Sequence, residues 1–68
     1  MAVEFVRLTN TFGTAEWINP AGVVTIAGAD GSNEVLIQGH GLTISVIGTV
    51  ESVAQDLGFN LRRLPLRK

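Results

Sequence analysis

Apolar residues along this chain fall into short runs separated by turn residues, and the spacing changes only once, near the C-terminus. VEFVRL, residues 3–8, mixes β-branched and aromatic side chains and reads as a strand. Thr9, Asn10, Thr11, Phe12 and Gly13 have turn composition. TAEWIN, residues 14–19, then alternates, with Ala15 and Trp17 on one face and Glu16 and Ile18 on the other, so the segment closes a hairpin. Asn19-Pro20 ends that strand, because proline lacks the donor a ladder needs, and Ala21 and Gly22 continue the turn. VVTIAG, residues 23–28, is a third strand, with Val24 and Ile26 opposing Val23 and Ala27. ADGSN, residues 29–33, carries the Asp-Gly hairpin signal, and EVLIQ, residues 34–38, is a fourth strand. Gly39-His40-Gly41 is a tight connection to LTISVI, residues 42–47, where Leu42, Ile44 and Val46 face one way and Thr43 and Ser45 the other.

Apolar residues occur on both faces of several of these strands: Val6 and Leu8 oppose Val3 and Phe5, and Trp17 opposes Ile18. This implies a sheet covered on both sides, by a helix and by a second subunit. The helix comes next. Val50, Val53, Ala54 and Leu57 follow the i, i+3, i+4, i+7 pattern, with Thr49 as N-cap, Glu51 in the first turn, Gly58 at the C′ position and Phe59 placed for the apolar contact that accompanies such an ending. At about nine residues it depends on docking against the sheet. Pro65 prevents a helix in the last segment, which reads as extended, with Leu61, Leu64 and Leu66 available to pin it.

Composition then changes the picture from fold to assembly. The chain has 68 residues, no cysteine and one histidine, which excludes a disulfide staple and a closed Cys/His zinc site. It is 46% hydrophobic and 16% charged, against about 25% charged for an average soluble protein. A domain this small has proportionately more surface to cover, so surplus apolar side chains point to burial between subunits. No apolar run approaches the roughly 20 residues of a spanning helix, and Glu4 and Arg7 interrupt the N-terminus where a signal peptide would be apolar. The expectation is a cytoplasmic protein with no membrane association.

Charge is segregated. Arg7 is the only base among residues 1–61, against six acids, so that body carries −5, while Arg62, Arg63, Arg67 and Lys68 give residues 62–68 a charge of +4. The tail is the leading candidate site: arginine offers a bidentate fork to phosphate, and an oligomer would multiply the field. A tail that merely balances the acidic body accounts for the same sequence. Trp17 belongs in the core or an interface, or, more sharply, forms a stacking platform for a base or other planar ligand. His40 sits in a glycine-flanked turn, with ligand contact at an exposed loop tip as the alternative. No nucleophile is paired with a base, and Glu51 and Asp56 do not align on the helix. GADGSN, residues 28–33, lacks the phosphate-loop pattern and only superficially matches part of a calcium loop. Neither an enzyme, a cofactor nor a metal is expected.

Leu8-Thr9, Gly13, Ile18-Asn19-Pro20, Val24 with Ile26, a glycine-centred hairpin and a Val-Glu-x-Val helix start at residues 50–53 together resemble the small flagellar FlbD/SwrD-type proteins and similar short bacterial and phage proteins. The resemblance spans most of residues 5–58 and implies a compact β-rich fold with one helix and a non-enzymatic role. It assigns no binding residue.

The sequence therefore predicts an α+β, mainly β fold: a small antiparallel sheet or partly open barrel of four to five strands with one short C-terminal helix. Residues 1–61 form a single domain, with the helix at about 49–57, and residues 62–68 form a basic extended tail. The expected function is that of a homo-oligomeric bacterial or phage regulatory protein acting through protein contacts. Sequestration of a phosphate-bearing small molecule such as a nucleotide signal, at subunit interfaces holding Arg62, Arg63, Arg67 and Trp17, is the alternative. Nucleic-acid binding through the tail ranks below both.

Overall fold

A computed structural model describes residues 4–29 and 31–62. The fold is α+β and mainly β, with five antiparallel strands and one short helix: β1 (Val6–Thr9), β2 (Ala15–Ile18), β3 (Val23–Ala27), β4 (Glu34–Gly39), β5 (Leu42–Ile47) and α1 (Val50–Leu57). The strands divide into two sheets, a β1-β2 ribbon and a β3-β4-β5 meander, and no closed barrel forms. The division falls at Pro20. Pro20–Gly22 forms a 3₁₀ turn capped by Asn19, whose side chain accepts from the Ala21 N–H, so the chain leaves the ribbon instead of extending its ladder. An antiparallel bridge between Asn10 and Val46 and an N–H bond from Thr11 to the Ser45 carbonyl at 3.1 Å join the ribbon to β5.

One core serves both sheets and the helix. Leu8 and Ile18 from the ribbon, Val35, Ile37 and Val46 from the meander, and Val53, Ala54 and Leu57 from α1 are all buried. Ile26, Ile37 and Ile44 align across the meander in register, and Leu42, Val50 and Phe59 pack at the margin. The helix is bounded as its sequence requires: Thr49 Oγ1 accepts from the Ser52 N–H at 3.1 Å. Gly58 has φ +83°, and the bonds Phe59 N–H to Ala54 O at 2.8 Å and Gly58 N–H to Gln55 O at 3.1 Å complete a Schellman ending.

Several details differ from strict alternation. Glu4 and Phe5 precede β1, and Val3 lies outside the described residues. The register shifts between Val23 and Thr25, a β-bulge with Val24 as the extra residue. Val23 and Ile26 consequently share the core side, while Val24 stands 62% exposed, so the expected grouping of Val24 with Ile26 is overturned. The Asp-Gly pair does lie between β3 and β4, but within a six-residue connection, 28–33, and not in a two-residue turn. At the other end of β4 the backbone passes so close to the 3₁₀ turn that a Cβ on Gly39 would stand 1.9 Å from the Gly22 carbonyl oxygen, and the next N–H, of His40, donates to that oxygen at 3.0 Å.

Candidate interaction surface

The β1-β2 ribbon is organised by a side chain that sequence reading treated only as part of a turn. Asn10 is 7% exposed. Its Oδ1 accepts the N–H groups of Phe12 and Thr14, both at 3.0 Å. Its Nδ2 donates to Thr14 Oγ1 at 2.7 Å and to Glu16 Oε2 at 2.9 Å. The Asn10 backbone N–H also donates to the Thr14 carbonyl at 2.9 Å, and Gly13 donates back to the Asn10 carbonyl at 2.9 Å. This closes a three-residue hairpin loop with Gly13 at φ +88°. Every polar position of the amide is used, which fixes its orientation and turns Glu16 towards the inner side of the ribbon.

The outer side of the same ribbon carries Trp17. It is 62% exposed, so placement in the core of this chain is overturned; alternation with buried Ile18 directs it outward. Arg7 lies directly across from Trp17 in the ladder and is exposed on the same face, and Phe5, 54% exposed, is adjacent. Cross-strand neighbours of this kind stand about 4.5–5.5 Å apart at Cβ, within reach of a cation–π contact. Sequence reading placed Arg7 in the first strand but did not connect it with Trp17; the hairpin register supplies that link.

The other expected site residues are not gathered there. His40 is exposed in the β4–β5 connection, Arg62 is exposed beyond α1, and Arg63, Arg67 and Lys68 lie outside the described residues. Three of the grooves among the described residues are well formed, and none of these is lined by Trp17, His40 or Arg62. One of about 260 Å³ lies between the 28–33 connection and the start of α1, where Glu34 and Glu51 oppose an anion. A second of about 520 Å³ lies between Thr11, Phe12 and Glu16 on one side and Leu42, Thr43 and Ser45 on the other. The third, about 320 Å³, is largely apolar, with Val23, Val24 and Ile26 facing Phe59, Asn60 and Leu61.

Among the described residues no group of three or more His, Cys, Asp or Glu side chains could hold a metal, and no helix is long and apolar enough to cross a membrane. What the surface does present is apolar: Phe12 is 91% exposed, with Val24, Ile47 and Leu61 adding to Phe5 and Trp17. No family model, curated protein or solved structure matches the chain.

Proposed function

We propose that this chain is a non-enzymatic, homo-oligomeric regulatory protein of bacterial or phage type that works in the cytoplasm through protein contacts, first with copies of itself. The exposure of six large apolar side chains, Phe5, Phe12, Trp17, Val24, Ile47 and Leu61, carries the reading. Taking about 200–250 Å² per aromatic side chain, the exposed parts of Phe5, Phe12 and Trp17 amount to roughly 450 Å². At about 25 cal/mol per Å² their burial is worth on the order of 11 kcal/mol gross, comparable to the ~4–15 kcal/mol that association loses in translational and rotational freedom. The aromatics alone therefore bring association close to balance, and the aliphatic residues add to it. The resemblance of residues 5–58 to small flagellar proteins points to the same non-enzymatic role.

Native mass spectrometry of freshly purified protein across a concentration series tests this. A multimer without added small-molecule mass is the expected outcome, and a monomer at every concentration refutes it. Arg7 opposite Trp17 favours a second reading, capture of a planar, phosphate-bearing small molecule, with the basic tail contributing charge. Retained mass matching a nucleotide would move the assignment there.

A further inference from the structure

We propose that the open edge of β2 pairs, antiparallel and about a two-fold axis at Trp17, with β2 of a second copy. The inference rests on the self-association reading above and names its contact. It begins with ladder parity. Asn10 N–H donates to Thr14 O, so this position is hydrogen-bonded, and antiparallel pairs alternate. Leu8 with Glu16 and Val6 with Ile18 are then the bonded pairs, and Arg7 with Trp17 and Thr9 with Ala15 the non-bonded ones. The backbone N–H and C=O groups of Ala15 and Trp17 consequently point away from β1, and among the described residues no other strand lies beside β2. Asn19 is extended too, with φ −83° and ψ 111°, and its N–H points the same way; its carbonyl accepts from Gly22.

The outer edges of β3 and β5 are managed. A bulge at Val24 breaks the edge of β3, and Phe59 to Leu61 line the groove beside it. The outer edge of β5 is engaged by Asn10 and Thr11. β2, reading Ala-Glu-Trp-Ile, is short and its single charge turns inward, both of which blunt an edge, but that charge is tied to Asn10 and the strand has neither lysine, proline nor bulge. Such an edge is a template for another strand.

For a second copy, parity also chooses the register. A two-fold partner must oppose odd positions to odd positions. Centring the axis on Glu16 would set two glutamates directly opposite, about 4.5 Å apart at Cα, which is destabilising. Centring it on Trp17 opposes Glu16 to the partner's Ile18, lets Trp17 exchange N–H and C=O with the partner's Trp17, and lets Asn19 N–H donate to the carbonyl of the partner's Ala15. The ribbon becomes a four-stranded sheet whose outer face carries a row Arg7, Trp17, the partner's Trp17, the partner's Arg7. The two arginines stand about 14 Å apart across three strand spacings of ~4.8 Å, beyond the screening length at physiological salt.

Sedimentation velocity and residue-resolved amide exchange on the full chain test the proposal, with Ala15→Pro and Trp17→Lys as variants. Ala15 begins β2 and its N–H faces outward, so proline there spares the internal ladder while its ring obstructs a partner. Trp17→Lys sets like charges across the axis. Each variant should keep the wild-type far-UV spectrum and weaken association at least about tenfold. In the wild type the Trp17 amide should exchange at least about tenfold more slowly in the associated state than after dilution. If the wild type associates and both folded variants associate equally well, the edge is not the contact, and the broader apolar-contact reading survives. Should Ala15→Pro unfold, Trp17→Lys and the Trp17 amide decide; an amide exchanging equally fast in both states overturns the edge. A wild type monomeric at all concentrations overturns both readings.

Discussion

Replacing Asn10 tests the polar clamp that holds the ribbon. Asn10→Ala removes three neutral hydrogen bonds, worth about 0.5–1.5 kcal/mol each, and one to a carboxylate, worth about 1.5–3 kcal/mol. Phe12 and Thr14 are exposed and their N–H groups regain water, which reduces the gross sum of roughly 3–7 kcal/mol to an expected loss of about 2–4 kcal/mol. Against a total of about 3–10 kcal/mol for a chain of this length, that is a large fraction. At ~4–8 °C per kcal/mol it lowers Tm by roughly 8–32 °C, read by far-UV circular dichroism at fixed protein concentration. Asn10→Asp is sharper. The Oδ1 bonds survive and the Thr14 hydroxyl can reverse to donate, but a second carboxylate oxygen now stands 2.9 Å from Glu16 Oε2. Repulsion at that separation is roughly 1.4–6 kcal/mol for effective dielectric constants of about 80 to 20. The like charges raise the titration of the carboxyl pair in the folded state, so the fold binds a proton that the unfolded chain has released. Relative to wild type at the same pH, the variant is therefore most destabilised near neutrality and recovers as pH falls through the raised pKa towards about 4. Adding Glu16→Gln restores a donor and should recover most of the loss at pH 7. A double variant no more stable than Asn10→Asp alone, or an Asn10→Ala loss below about 1 kcal/mol, would refute the clamp.

Other substitutions separate close approach, capping and packing. Gly39→Ala sets a Cβ against the Gly22 carbonyl and should destabilise by about 3 kcal/mol in urea unfolding, whereas Gly22→Ala, with open space around it, should stay within about 0.5 kcal/mol. Thr49→Ala loses the N-cap bond and Gly58→Ala forces alanine to φ +83°, each lowering stability by about 1 kcal/mol in the same assay. Ile37→Ala empties a fully buried position and should lose about 2–5 kcal/mol by chemical denaturation, while Phe12→Ser, at 91% exposure, should leave monomer stability within about 0.5 kcal/mol.

The helix was legible in full, because its signals are local: a threonine cap, a 3.6-residue stripe and a glycine ending need no knowledge of the rest of the chain. β5 was legible to the residue for the same reason, since Leu42, Ile44 and Val46 alternate with polar neighbours. The bulge at Val24 was not. In VVTIA every position but one is apolar, so alternation cannot say which valine is the extra residue, and only the pairing of Val23 with Gly39 and Thr25 with Gln38 reveals it. Asn10 was missed because its bonds reach to Thr14 and Glu16, across a turn whose conformation had to be known first. Trp17 was assigned to the right face of its strand, opposite Ile18, but whether that face is covered depends on tertiary placement. Arg62, exposed after α1, gives the tail its point of departure, and the charge of residues 63–68 is a fact of sequence alone.

The exposed aromatics follow from how five strands and one helix share a core. A single helix can cover one area of about its own footprint, and here α1 spends its apolar stripe, Val53, Ala54 and Leu57, on the space between ribbon and meander. Among the described residues each sheet is thereby covered on one face only. On the meander the uncovered face carries Thr25, Gln38, Thr43 and Ser45 together with Leu36 and Ile47, a mixture of polar and aliphatic side chains. On the ribbon it is filled by Phe5, Arg7 and Trp17, two of them aromatic. The ribbon's outer face is the aromatic one, and it adjoins the strand edge without a bulge. Apolar face and open edge coincide on β2, while the edges of β3 and β5 are broken or engaged, and the proposed strand pairing rests on that asymmetry.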